Sequence, residues 1–224
     1  MTTETDTFPD IAVWLNSSDD NMLPMQLAIL DAAAQAFTTL GYAAASVDLI
    51  ASQIGATKGS VYYHYRSKGD LFFAVHKRAM AMNLKTLYPL FQDPALSPEE
   101  KLLAMTYQHA LTMMNHLYYQ RVTVQGVELH QSASTTPAER VALAEVLAMR
   151  DAYETMFVQV LKDGVARKAF ADADCRLSAK GILGALNWIT VWYRPREEEA
   201  LGYREKVAGQ FSRQAVQGVL ALAR

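Results

Sequence analysis

The chain has 224 residues, 51% of them hydrophobic, with a formal net charge of −2 and an isoelectric point near 6.2. That supplies ample apolar material for a buried core in one large or two modest domains, and it excludes a general polyanion binder, so any nucleic-acid contact must be a local patch. The single cysteine, Cys175, excludes an intrachain disulfide; with no run of about 18 apolar residues and no basic-then-apolar leader, neither a membrane span nor a secretory signal is expected, and the expected location is the cytoplasm.

Residues 1–23 carry Glu4, Asp6, Asp10, Asp19 and Asp20 and no basic side chain. This predicts a mostly mobile acidic arm, in which the apolar cluster Ile11, Val13, Trp14 and Leu15 is the part able to pack back on the body. Pro24 suits the first position of a helix in which Leu27, Leu30, Ala34, Phe37 and Leu40 recur at three- and four-residue steps, with Gly41 expected to end it. Ser46 is a candidate N-cap for a short helix with Val47, Ile50 and Ile54 on one face. Gly55 provides a left-handed stop, and Thr57 is a second N-cap two residues later.

Two short helices joined by a tight turn containing glycine form a helix-turn-helix, whose second helix enters a major groove N-terminus first. From Lys58 to Tyr65 the exposed positions are small, basic or aromatic. Ser46, Thr57 and the free N–H groups of the second helix favour phosphate, and Gly59 permits close backbone approach. Ser60, Tyr62, Tyr63 and His64 can bond phosphates or base edges. Lys58 is expected on phosphate, as is Lys68, just after the next N-cap, Ser67. Between Ser46 and Arg78 five basic side chains, Lys58, Arg66, Lys68, Lys77 and Arg78, stand against Asp48 and Asp70, which is the local patch the overall charge requires.

The remaining pattern is helical throughout. A long helix runs from Ser67 towards Pro89 and links two domains. Ser97-Pro98-Glu99-Glu100 and Thr136-Pro137-Ala138-Glu139 are helix starts with an N-cap, a proline and a glutamate at the third position, for helices near 98–117 and 137–163, the latter ended by Gly164. Leu117 to Gln131 is expected to be helical between them. Leu177–Trp192 is apolar around almost its whole circumference and must be buried on several sides, and a final helix of about Tyr203–Ala223 carries an apolar stripe. The expected class is all-α, with an acidic arm at 1–23, a three-helix helix-turn-helix domain at 24–70 and a larger helical domain at 71–224. Two antiparallel helices at the C-terminal end of each of two chains would form a four-helix homodimer interface.

Residues 26–75, with LAILDAAAQAFTTLGYAAASV followed by TKGSVYYHYRSKGDLF, resemble the N-terminal domain of the TetR family of bacterial transcriptional regulators. The resemblance implies a dimeric regulator on double-stranded operator DNA, released by a small effector held among the C-terminal helices. Two reader helices would take half-sites about 34–36 Å apart on a roughly palindromic operator. The candidate effector lining is Met105, Tyr107, His109, Met113, Met114, Tyr118, Tyr119, Trp188, Trp192 and Tyr193, an adaptable apolar set with polar tips. Gly184–Trp188, continuing through Trp192-Tyr193-Arg194-Pro195, is similar to a stretch in family members that respond to acyl-CoA thioesters. That likeness implies acyl binding by the aromatics and phosphate contacts from Arg194 and Arg196, unless Glu197, Glu198 and Glu199 pair with those arginines.

Other readings are weaker. A different lipophilic or aromatic effector fits the same lining. A metal sensor would use His109 and His116, seven residues apart, with Glu128 and His130, but the spacing is no known ligand motif and no metal or other cofactor is expected. Gly55-Ala56-Thr57-Lys58-Gly59-Ser60 lacks the lysine and the strand context of a phosphate loop, and no paired catalytic groups appear, so an enzyme is not expected. A purely architectural DNA binder would leave the large second domain without a task.

Overall fold

The computed structural model describes residues 11–16, 22–131 and 136–221, the backbone alone for 125–131. The regular secondary structure among the described residues is helical, apart from one antiparallel bridge between Phe170 and Leu220. The helices are α1 (Ala12–Asn16), α2 (Pro24–Ala44), α3 (Val47–Gln53), α4 (Lys58–His64), α5 (Lys68–Gln92), α6 (Pro98–Asn115), α7 (Leu117–Gln131), α8 (Pro137–Ala166), α9 (Cys175–Asn187), α10 (Ile189–Trp192) and α11 (Tyr203–Gln217).

Local chemistry starts most of them. The hydroxyls of Ser46, Thr57, Ser67, Ser97 and Thr136 accept from the backbone N–H three residues on, and Asp174 caps α9 in the same way. At Ser97 and Thr136 the reciprocal glutamate bond completes a capping box. Gly55 takes the left-handed conformation at φ 66 between α3 and α4, where a side chain would be strained.

Two cores lie along α5. The first joins α2, α3 and α4 through Ile29, Leu30, Phe37, Val47, Ile50 and Val61 to Leu71, Phe72 and Val75 of α5, and it also takes in Tyr119, Val122 and Val146. The second packs Leu84 and Leu87 against Leu102, Met105, Met113, Met149, Tyr153, Met156, Phe157, Leu183 and Leu186. The boundary expected at residues 70/71 therefore falls within the first turn of a helix that serves both cores.

Several elements differ from expectation. Gly41 does not end α2; it interrupts the helix with φ 80 and ψ 156, and α2 resumes to Ala44. Helix α5 continues past Pro89 to Gln92, because the ladder bond that proline removes is lost in the last turn on a solvent-exposed face. Gly164 does not stop α8. A Cβ there would lie 2.0 Å from the Phe170 ring, so the glycine admits that ring, and Lys168 takes the left-handed turn position instead, at φ 62. The single helix expected over Leu177–Trp192 is broken at Trp188 into α9 and α10, and it is not buried all round: Leu177 is 67% and Trp188 62% exposed in the single chain. Helix α11 ends at Gln217, where Leu220 turns back to bridge Phe170; residues 222–224 lie outside the described chain. In the acidic arm, Ile11 is buried and Trp14 and Leu15 pack on the second core, so that part is docked; residues 1–10 and 17–21 lie outside the described residues.

Candidate DNA interface and effector cavity

Helix α4 carries the DNA-facing candidates. Val61 and Tyr65 point inward and are buried, which leaves Lys58, Gly59, Tyr62 and Tyr63 exposed and Ser60 and His64 half-buried. Tyr63 is 85% exposed and sits edge-on to His64. Thr57 and Ser60 pair through their hydroxyls at 2.9 Å, and Thr57 also accepts from the Ser60 N–H, so both stiffen the start of the helix. Ser46 is likewise occupied as the cap of α3, accepting from Leu49. Lys58 Nζ lies 2.6 Å from Asp48 Oδ2, an exposed pair in which the Asp48 carboxylate raises the lysine pKa through its hydrogen bond and charge.

Lys68, expected on phosphate, is held against the end of α2. Its ammonium donates to the carbonyl oxygens of Tyr42 at 2.8 Å, Ala43 at 3.2 Å and Ala45 at 3.1 Å, and sits 4.5 Å from the Tyr42 ring centroid. An ammonium has three N–H donors, and here all three meet carbonyls at the broken end of α2. The physical reason is the Gly41 interruption, which frees carbonyls at the end of α2 that a cation satisfies well.

The effector candidates separate into different places. A cavity of about 490 Å³ lies among α5, α6, α7, α8 and α9, and of the predicted set only His109 and Met113 line it. Met105 is fully buried in the second core, and Met114 is buried beside it. Tyr118 and Tyr119 line a groove of about 630 Å³ against α2 and the end of α3. Trp192, Tyr193 and Arg194 line a third hollow of about 320 Å³ with Arg196, Glu198 and Glu199, and Trp188 lines none of the three. Arg194 donates to the Val191 and Tyr193 carbonyls and so closes α10, while Glu199 binds Arg204 and the Tyr193 hydroxyl in place of the neighbouring arginines.

The cavity is completed by side chains not anticipated: Met80 and Asn83 from α5, Gln120 and Thr123 from α7, Arg150, Tyr153 and Glu154 from α8, and Lys180, Leu183 and Asn187 from α9. Asn83 and Gln120 exchange reciprocal amide bonds of 3.0 and 2.8 Å. A polar residue within an apolar stripe was the available signal, since Asn83 stands between Met80, Leu84 and Leu87. His109 is 2% exposed, with Nδ1 2.6 Å from the Tyr153 hydroxyl and Nε2 3.1 Å from Asn187 Oδ1. Burial lowers its pKa to about 4, against a smaller upward pull from Asn187, so the ring is neutral at pH 7. The Asn187 carbonyl oxygen needs an N–H, which places the proton on Nε2 and leaves Nδ1 to accept from Tyr153. Burial also raises the Tyr153 pKa, keeping it a neutral donor. At the rim, Lys180 pairs with Glu154 beside Arg150 and Asp151.

Helix α7 touches both regions. Gln120 faces the cavity, while its neighbour Tyr119 donates its hydroxyl to Asp31 Oδ1 of α2 at 2.6 Å. Arg78 of α5 joins the same carboxylate at 2.6 Å, contacts the Tyr119 hydroxyl and lies over the Tyr119 ring. The Thr38 hydroxyl adds a 3.0 Å bond to the Tyr118 carbonyl.

Among the described residues no group of three potential metal ligands gathers, and the side chains of Glu128 and His130 lie outside them. No helix there is long and apolar enough to cross a membrane.

A short exposed reader helix on a tight turn, carried by a helical body, defines a helix-turn-helix DNA-binding protein. Comparison gives the family. Residues 29–75 match the family described as "Bacterial regulatory proteins, tetR family", and residues 95–219 match "Tetracyclin repressor-like, C-terminal domain". The chain belongs to the TetR family and is a DNA-binding transcriptional regulator, not an enzyme. It is 24% identical over 171 residues to a fatty acid metabolism regulator protein of Bacillus subtilis, covering 75% of this chain and 84% of that one. Its fold is similar to that of a tetR family regulatory protein from Rhodococcus RHA1, with TM-score 0.77, 18% identity and coverage of 90% and 100% of the two chains. It is also similar to that of AibR, solved with isovaleryl coenzyme A and operator DNA, with TM-score 0.70, 20% identity and coverage of 88% and 98%.

Proposed function

We propose that the protein is a dimeric repressor, released from a palindromic operator when an acyl-CoA thioester enters the cavity among α5–α9. The observation that carries this reading is the cavity itself: about 490 Å³, within the range of small-molecule sites, with a buried lining and a rim bearing Arg150 and Lys180. Arg150 suits the phosphates of a coenzyme A head, as does Lys180 once it exchanges Glu154 for a phosphate, and Met80, Met113 and Leu183 suit an acyl body. The fatty acid regulator among the relatives and the isovaleryl coenzyme A bound to AibR support the same chemical class. The second copy would cover the open face of α9–α11, where Leu177, Trp188, Trp192, Leu201 and Tyr203 are exposed.

Release requires the effector to favour the dimer that does not fit the operator. A differential of about 3 kcal/mol weakens operator binding roughly a hundredfold. Helix α7 is the route: an effector that displaces Gln120 moves Tyr119, and through Asp31 it moves the helix that supports α3 and α4.

The test is a thermal-shift and operator-release panel of short, long, branched and ring-bearing acyl-CoAs, with free acids and free coenzyme A as controls. One thioester class should stabilise the protein and release operator DNA while its acid and coenzyme A do much less. A flat response to every thioester would overturn the thioester reading and leave the DNA-binding assignment in place.

A further inference from the structure

The cavity is more polar than an alkyl chain needs. Its buried polar side chains are Asn83, His109, Gln120, Thr123 and Tyr153, and none of them is charged at neutral pH. Thr123 donates to the Tyr119 carbonyl, and the other four, with half-buried Asn187, form two groups on different helices. One is the Asn83–Gln120 amide pair joining α5 and α7. The other is the chain from Tyr153 of α8 through His109 of α6 to Asn187 of α9.

Each group has capacity left over. A primary amide has two N–H donors and two carbonyl lone pairs, and the reciprocal bonds between Asn83 and Gln120 use one of each per residue. Asn187 spends its oxygen on His109 and keeps its NH₂, and the Tyr153 oxygen keeps its lone pairs after donating to Nδ1. Polar groups walled off from water by an apolar ligand cost free energy, so a saturated chain filling this space would leave these donors unpaired. A carboxylate fares no better: it would lose its hydration with no cation among the buried lining, the nearest candidates, Arg150 and Lys180, being at the rim. A thioester carbonyl occupies one of the two polar groups, which leaves the other for an oxygen elsewhere in the molecule.

We infer that the part of the effector lodged in this cavity is uncharged and carries a hydroxyl or ketone oxygen of its own, besides any thioester carbonyl, held by the Asn83–Gln120 pair or the Tyr153–His109–Asn187 chain. This rests on the effector role proposed for the cavity, and it refines the class from acyl thioester to oxygenated acyl thioester.

The experiment is isothermal titration of the full-length protein with acyl-CoAs matched in length and ring content but differing by one hydroxyl or ketone, each repeated with the Asn83→Leu/Gln120→Leu double variant. Replacing both partners of the amide pair removes the polar group without leaving half of it unsatisfied, and circular dichroism with operator binding checks that the variant folds. At least one oxygenated thioester should bind about tenfold or more tightly than its saturated counterpart, and the double variant should lose or reverse that preference if the amide pair holds the oxygen. The same loss in Tyr153→Phe would assign the oxygen to the other group. Saturated thioesters binding as tightly as every oxygenated match would overturn this inference and leave the thioester reading standing. Oxygenated lipophiles that bind without coenzyme A would do the reverse. Absence of binding by every compound would overturn both.

Discussion

Helix α4, the candidate reader, and the cavity among α5–α9 use polar side chains in opposite ways. On α4 they are held out to solvent, with Tyr62 42% and Tyr63 85% exposed and Lys58 resting on a single exposed carboxylate. In the cavity they are buried and joined to one another, as in Asn83–Gln120 and Tyr153–His109–Asn187. A surface held ready for a partner contributes little to the fold and tolerates substitution. A buried polar network is part of the fold, so changing it disturbs stability as well as binding.

The largest expected expression of that difference is in pH dependence. The folded pKa of His109 lies at about 4 against an ordinary 6.5, so between those values the unfolded chain takes up a proton that the folded chain refuses. Stability from this site is complete above about pH 6.5 and falls as the pH drops towards 4, by about 3 kcal/mol in all. Urea denaturation across this window should show that loss in the wild type and its absence in His109→Asn; equal curves would mean that the ring is not held neutral.

Lys68 tests whether proximity to the reader makes a residue part of it. Lys68→Met should cost about 2 kcal/mol in urea denaturation, because it strands the carbonyls at the end of α2. A fully stable variant whose operator binding has merely lost part of its salt dependence would return Lys68 to the phosphate role.

The link between the regions should show a smaller stability effect and a larger regulatory one. Tyr119→Phe removes one donor from Asp31 while Arg78 remains on it, so a loss of about 1 kcal/mol is expected. Effector-driven release from operator DNA, read by fluorescence anisotropy, should weaken while effector affinity stays nearly unchanged. Release as complete as in the wild type would remove Tyr119 from the route.

At the small end, Lys58→Ala should leave stability almost unchanged, as befits an exposed pair. Its effect should appear on DNA, where the logarithmic salt slope falls by about 1 for each subunit, for operator and random sequence alike. A destabilised variant with an unaltered slope would reverse the contrast between the two regions.

The sequence alone determined what depends on neighbours a few residues away. Ser46, Thr57, Ser67, Ser97 and Thr136 each close a bond to the residue three further on, and Gly55 turns the chain between α3 and α4. The all-α class and the helix-turn-helix followed from these local signals and from apolar spacing. Within the candidate effector set, however, side chains of similar character went to a closed core, an interdomain groove and a surface hollow, because composition does not say which helix faces which. Only the tertiary structure decided the partners of His109, 44 and 78 residues away, of Gln120, 37 away, and of Tyr119, 88 away. A buried polar group takes whatever partner the packing of distant helices brings within reach, and that packing belongs to the fold as a whole.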